Sequence, residues 1–179
     1  MKKIITLILV MCVSITLSQK KLIIYNYMAD RTVTLNNILT KPMDTNVLAY
    51  PYYYVQPQIV IPNAGGSYTL VNPNSLVKFP LYTPTSNPFI SSWFKISSAS
   101  VSVNQTALNA WNTMSNKQSF HCVKFAVNNA NGVLGGSAVV GVSPFGVSNV
   151  KGAFNCIYEE IYPIAGNLNL IEYTIVIFD

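Results

Sequence analysis

The stretch 118–128, QSFHCVKFAVN, decides the fold class, because its side chains alternate as those of a half-buried strand do. It contains neither glycine nor proline, and Val123, Phe125 and Val127 alternate with polar or small residues. This period of two is typical of a strand with one buried face, and His121 falls on that face. The opposite face would carry Phe120, Cys122, Lys124 and Ala126. We therefore predict a strand whose Val123 face packs into the core.

The rest of the chain repeats this pattern. Asn131-Gly132 follows the strand and predicts a tight hairpin, because both central residues of a type I′ turn need a positive φ. Ala165-Gly166-Asn167 predicts the same connection between the last two strands. Further β-branched and aromatic runs are separated by Asn, Gly, Pro and Ser. The predicted strands lie near 21–28, 31–36, 54–61, 67–72, 92–103, 118–128, 133–142, 153–161 and 169–178.

Helical patterns are nearly absent. The segment 105–114, QTALNAWNTM, is the one candidate for a short helix, with Asn104 or Thr106 as its cap. Many short strands without alternating helices predict an all-β, single-domain antiparallel β-sandwich of the jelly-roll-like kind. No linker-like stretch divides residues 19–179, so we treat them as one domain.

Residues 1–18, MKKIITLILVMCVSITLS, have the organisation of a secretory signal peptide. Lys2 and Lys3 precede a short apolar run, and small or polar residues precede the predicted cleavage after Ser18. The apolar run is too short to span a membrane, which takes about 20 residues. We therefore predict that the chain from Gln19 onward is secreted, in the periplasm or outside the cell.

Loss of this leader changes the charge. The formal net charge of +5 falls to +3, because Lys2 and Lys3 leave with it. Two of the remaining basic residues, Lys20 and Lys21, lie at the new terminus and do not belong to a basic patch. Nucleic acid is therefore not an expected partner.

The leader also removes Cys12, where lipid attachment is disfavoured because the bulky Met11 precedes it. Cys122 and Cys156 remain, an even number in an exported chain, which is the pattern of one disulfide. The bridge would close a loop of about 35 residues and stabilise the fold by roughly 3–4 kcal/mol. The alternative is a metal site, but His121 and Cys122 point to opposite faces of a strand. We predict a disulfide that joins the two hairpins, with no metal and no cofactor.

Catalytic residues are scarce. A single histidine excludes sites with two His ligands, and GVSPFG (141–146) lacks the second glycine of a nucleophile elbow. A two-residue turn at Ala165-Gly166 would place Glu159 opposite Glu172, close enough to share a cation or to serve a carboxylate-based hydrolase. A shift of one residue breaks this pairing, and a solvated edge is the preferred interpretation. We predict a protein that is not an enzyme.

The segment 48–62, LAYPYYYVQPQIVIP, concentrates tyrosine and proline. Its prolines disfavour both a helix and a central strand, so we predict an edge strand or a surface loop. In an extended chain Tyr52 and Tyr54 share a face, about 7 Å apart, and Tyr53 takes the other. Such rings suit a sugar face or a membrane interface. The alternative is that they only cover the sheet, since tyrosine is a common strand residue.

The candidate ligand-binding residues are Tyr50, Tyr52, Tyr53 and Tyr54. They predict a secreted, non-enzymatic binding or adhesion module for a glycan or cell-surface polymer. The alternative is a membrane-active or self-assembling secreted β-protein that contacts the membrane without spanning it. Asn104-Gln105-Thr106 is an N-glycosylation sequon, which matters only in a eukaryotic secretory route.

Overall fold

The computed structural model describes residues 19–43, 48–72, 75–114, 117–162 and 170–179, and the predicted signal peptide lies outside them. The strands are β1 (Gln19–Asn26), β2 (Thr32–Pro42), β3 (Tyr52–Val55), β4 (Ile59–Ile61), β5 (Gly66–Asn72), β6 (Ser92–Ser98), β7 (Val101–Thr106), β8 (Gln118–Asn128), β9 (Leu134–Gly141), β10 (Asn149–Val150), β11 (Asn155–Ile161) and β12 (Leu170–Phe178). The helix α1 is Ala107–Asn112. In this part of the chain no helix is long and apolar enough to cross a membrane.

Two sheets pack face to face. Sheet 1 has the strand order β10-β11-β12-β1-β5, and sheet 2 has the order β7-β6-β3-β2-β8-β9, with β4 also paired to β2. Neighbouring strands are antiparallel except β1 and β12, which run parallel. The predicted all-β sandwich with one short helix is confirmed.

The core fills the space between the sheets with alternating side chains from each strand. In β12 the buried residues are Ile171, Tyr173, Ile175 and Ile177, with half-buried residues between them. Trp93, Tyr53 and Tyr173 are the largest fully buried side chains among the described residues. Each buried aliphatic or aromatic side chain contributes roughly 1.5–3 kcal/mol, so this alternation supplies most of the stability.

The predicted core face of β8 is confirmed for Val123, Phe125 and Val127. Phe120 was assigned to the wrong face, because it also lies in the core. A β-bulge explains the difference: Leu39 pairs with Cys122 and Thr40 with Phe120, so His121 is an extra residue without a partner in β2. The extra residue shifts the alternation of the strand by one.

The predicted disulfide is wrong. Cys122 and Cys156 are both free thiols and both are buried. Cys156 belongs to the core of sheet 1, whereas Cys122 lies outside the core cluster. Cys122 pairs with Leu39, which in turn pairs with the outward-facing Tyr54, and paired residues share a face. The two sulfurs therefore lie on opposite sides of sheet 2, where no bridge can form.

Two predicted strands are each divided. The segment 54–61 contains β3 and β4, separated by Gln56–Gln58, where Pro57 lacks a ladder donor and Gln58 has a φ of 50°. The segment 92–103 is a hairpin of β6 and β7 that turns at 99–100. The sequence did not indicate this turn, because its two residues are alanine and serine and it contains neither glycine nor proline.

The sequence predicted the cap of the helix correctly and the hairpin turns only in part. The Thr106 side chain accepts a hydrogen bond from the Asn109 backbone N–H at 3.2 Å, which confirms one of the two predicted caps. The hairpin at Asn131-Gly132 is present, but only Gly132 has a positive φ and the loop spans 129–133, so the type I′ turn was wrong. The turn predicted at Ala165 lies outside the described residues.

Candidate functional site

The tyrosine segment forms a central strand of sheet 2. β3 lies between β2 and β6, which corrects the predicted edge strand or loop. The reason is that Pro51 and Pro57 fall just outside the four paired residues of β3. No ladder donor is therefore lost within the strand.

The predicted division of the rings between two faces is confirmed. Tyr53 is fully buried in the core, where its backbone N–H donates to the Thr40 hydroxyl at 3.0 Å. Tyr52 and Tyr54 are half-buried on the outer face of sheet 2, the face turned away from sheet 1. Tyr53 is therefore removed from the candidate ligand-binding residues, because it has no accessible surface.

The outer rings form an aromatic row, which we define as Tyr50, Tyr52, Tyr54 and Phe94. The ring centroids of Tyr50 and Tyr52 are 5.7 Å apart with an interplanar angle of 24°. Those of Tyr54 and Phe94 are 5.0 Å apart with an angle of 17°. Tyr50 at one end is 49% exposed. Phe94 was not a candidate in the sequence, although Tyr54 and Phe94 are directly paired between β3 and β6.

The electrostatics of the aromatic row favour a neutral surface. Burial raises the pKa of Tyr52, and the nearby phenols of Tyr50 and Tyr54 raise it further. The middle hydroxyl of the row therefore stays protonated at physiological pH and can both donate and accept a hydrogen bond.

Polar groups border the aromatic row. Asn104 in β7 is directly opposite Phe94, and Ser102 is opposite Ile96. On the other side, Leu39 pairs with Tyr54, and Asn37 shares the Leu39 face two residues along β2. The Asn37 amide oxygen is buried without a hydrogen-bond partner. The row thus combines apolar rings with amides and a hydroxyl along its sides.

A cleft of about 200 Å³ begins where β3 ends. Gln56, two residues beyond Tyr54, and Ser92, two residues before Phe94, are among the residues that line it. Prolines 57 and 88 and the exposed Phe89 complete its apolar wall. The aromatic row and this cleft therefore follow one another along the same two strands.

The tryptophans do not extend this surface. Trp93 is in the core, where its indole N–H donates to the Leu81 carbonyl at 2.8 Å. Trp111 packs partly against the core, with the Lys78 ammonium 4.6 Å from its ring.

The alternative pairing of Glu159 with Glu172 is not formed. Glu159 pairs with Thr174, and Glu172 pairs with Ile161, so the register differs by two residues from that of the assumed turn. Glu172 instead lies 3.5 Å from the Lys21 ammonium and accepts a hydrogen bond from Thr174 at 2.8 Å.

The histidine and the two thiols are buried and uncharged at neutral pH. His121 is fully buried, and burial together with the Lys41 charge lowers its pKa to about 4. Its two ring nitrogens are buried and have no hydrogen-bond partner. Burial raises the pKa of Cys122 to about 11 and that of Cys156 to about 12, so both stay protonated. In the described residues no group of three or more His, Cys, Asp or Glu side chains could hold a metal ion.

Comparisons with protein-family models, with curated proteins and with solved structures found no match to this chain.

Proposed function

We propose that this chain is an exported, non-enzymatic binding module that holds a glycan or another surface polymer on its aromatic row. The observation that carries the proposal is the set of four rings, stacked in two nearly parallel pairs, on the outer face of sheet 2. Rings that only covered a sheet would need no accessible edge, whereas Tyr50 is about half exposed. Contiguous aromatic surface of this kind is typical of a contact site.

The chemistry of the aromatic row suits a neutral carbohydrate. The rings offer apolar contact to the CH groups of a sugar, and the phenol hydroxyls lie at their tips. The exposed Asn104 side chain lies beside the rings and can hydrogen-bond sugar hydroxyls. No member of the row is charged, so binding should depend only weakly on salt.

Export supports this proposal, because such polymers lie outside the cell. The predicted signal peptide at 1–18 would deliver the chain there. The modest charge of +3 that remains gives no reason to expect an acidic polymer as the ligand.

The test is binding to a glycan array and to immobilised polysaccharides. The double substitution Tyr52→Ala/Tyr54→Ala should lower the affinity at least about tenfold, since each aromatic contact contributes about 0.5–1.5 kcal/mol beyond its buried area. The matched control is Tyr25→Ala/Tyr27→Ala, because those rings stack at 5.7 Å on sheet 1 instead. Equal losses in the two variants, or no loss in the first, would contradict the proposal.

A second candidate function is self-assembly, favoured by β7. This strand is at the edge of sheet 2 and carries no charge, and Val101 and Val103 are 46% and 47% exposed. An uncharged edge offers unpaired backbone groups to another chain. If β7 mediates association, the molar mass in solution should rise with concentration and Val103→Lys should abolish the rise. A monomer at every concentration would exclude it.

A further inference from the structure

A second cavity, separate from the aromatic row, lies where the end of β2 and the start of β8 approach β11 and β12. Its volume is about 190 Å³. Lys41 and Ser119 line it from sheet 2, and Glu160 and Tyr173 line it from sheet 1. A single water needs only about 10–15 Å³ of such space, so the cavity has room for a small organic molecule.

Glu160 is held rigidly at this cavity. The Tyr158 hydroxyl donates to one carboxylate oxygen and the Tyr162 hydroxyl donates to the other. The carboxylate raises the pKa of both phenols, that of Tyr162 to about 12, although burial is the larger cause. Each carboxylate oxygen accepts more than one hydrogen bond, so Glu160 keeps acceptor capacity for a ligand.

The charges at the cavity balance. Lys41 is 8% exposed, and burial lowers its pKa while the negative charge of Glu160 raises it. Among the lining residues that the structure describes, one ammonium and one carboxylate therefore share the same space. A ligand with a net charge would disturb this balance.

Tyr173 supplies a polar atom that lacks a partner. The side chain is fully buried, and its hydroxyl has no hydrogen-bond partner. Ser119 and the Phe120 backbone are close enough to lower the pKa of Tyr173, but they do not meet hydrogen-bond geometry, and burial raises it on balance. Buried hydroxyls without partners are rare and unfavourable. Tyr173 lines the cavity, so a bound molecule that reaches its hydroxyl would supply the missing partner.

We propose that this cavity binds a small, neutral, polyhydroxylated molecule of about the size of a monosaccharide. Adjacent hydroxyls can donate to Glu160 and accept from Lys41 and Tyr173, which matches the mixed donors and acceptors of the lining. Met43 and Val142 offer apolar contact to the carbon skeleton. This inference does not depend on the aromatic row.

The test uses D-glucose, D-galactose, D-mannose and myo-inositol, each up to about 100 mM, a range that detects millimolar affinity. Binding is measured by saturation-transfer NMR and by the rise in melting temperature, which a ligand of the folded state causes. Tyr173→Phe and Glu160→Gln should each weaken binding about tenfold or more, because a buried partner is lost. Glu159→Gln is the control, since Glu159 is exposed and does not line the cavity.

Tyr173→Phe also separates binding from folding. The ring keeps its contacts to Phe120 and Phe79, with centroids 5.7 Å and 6.4 Å away, and only the unpartnered hydroxyl is lost. Without ligand, this variant should melt at or above the wild-type temperature, yet show a smaller rise with ligand. Tyr52→Ala/Tyr54→Ala should bind these molecules normally. Failure of all four compounds to bind would overturn the inference, and so would an unchanged response in both cavity variants. The free amino acid alanine, a zwitterion without hydroxyl groups, is tested beside them, and its binding in place of the four compounds would also overturn the inference.

Discussion

Lys20 should make the stability of this protein depend on pH in a range where few other groups titrate. Its side chain is fully buried, and its ammonium donates to the Gln118 carbonyl at 2.6 Å and lies 3.1 Å from the Met43 sulfur. Within the described part of the chain it forms no ion pair. Burial lowers the pKa of Lys20 from 10.5 to about 7.

The sign and size of the effect follow from this shift. Between pH 10.5 and 7 the unfolded chain binds a proton that the folded chain excludes, so the free energy of unfolding falls as pH falls. The full penalty is roughly 5 kcal/mol and is reached below pH 7, since one pKa unit corresponds to about 1.4 kcal/mol. From pH 7 to pH 8.5 we expect stability to rise by roughly 1.5 kcal/mol.

The assay is urea unfolding followed by the fluorescence of the buried Trp93, at several pH values from 7 to 8.5. Lys20→Met keeps the length of the side chain and removes the titrating group, so its stability should be nearly constant over this range. Lys21→Met is the matched control, because Lys21 is partly exposed beside Glu172. It removes the same charge and should keep the wild-type slope. Equal slopes in wild type and Lys20→Met would refute the reasoning.

Three further predictions concern the thiols, His121 and Gly141. Because Cys122 and Cys156 are free, protonated thiols, treatment with a reducing agent should leave the melting temperature unchanged. Alkylation at pH 8 should label both thiols only after unfolding. A mass measurement that shows one disulfide would contradict this prediction. Because the pKa of His121 is lowered to about 4, the free energy of unfolding of the wild type should fall by roughly 3 kcal/mol relative to that of His121→Leu as pH falls from about 6.5 to 4. Urea unfolding measures this difference. Equal pH dependence in the two proteins would contradict the burial of the ring. Gly141→Ala should lower the free energy of unfolding by several kcal/mol in the same assay, because a Cβ there would meet the His121 carbonyl and the φ of Gly141 is 143°. A decrease of less than about 1 kcal/mol would contradict this prediction.

The local pattern predicted the strands well and their boundaries less well. Alternation over 118–128 and 169–178 identified two core strands, because burial of one face follows from a period of two. The division of 92–103 into β6 and β7 was missed, since its turn carries neither glycine nor proline. The bulge at His121 was also missed, because an extra residue is defined by the partner strand.

The candidate site was predicted only in part, because the sequence shows which residues of one strand share a face but does not show which strands are paired. Tyr52 and Tyr54 were assigned correctly to one face, as the geometry of any extended chain requires. Phe94 and Asn37 join them only through strand pairing across the sheet. The cluster around Glu160 and Tyr173 had no sequence signal, because its members come from β2, β8, β11 and β12.

The amino-acid sequence by itself determined the class of the fold, the side on which each ring of β3 lies and the cap of α1, because these depend on bonds and contacts between near neighbours. Tertiary structure alone decided that β3 is central, that the two thiols lie on opposite sides of a sheet, and that Glu159 is paired with Thr174 and not with Glu172. Those outcomes depend on register and layer packing, which are set by contacts between residues far apart in the chain.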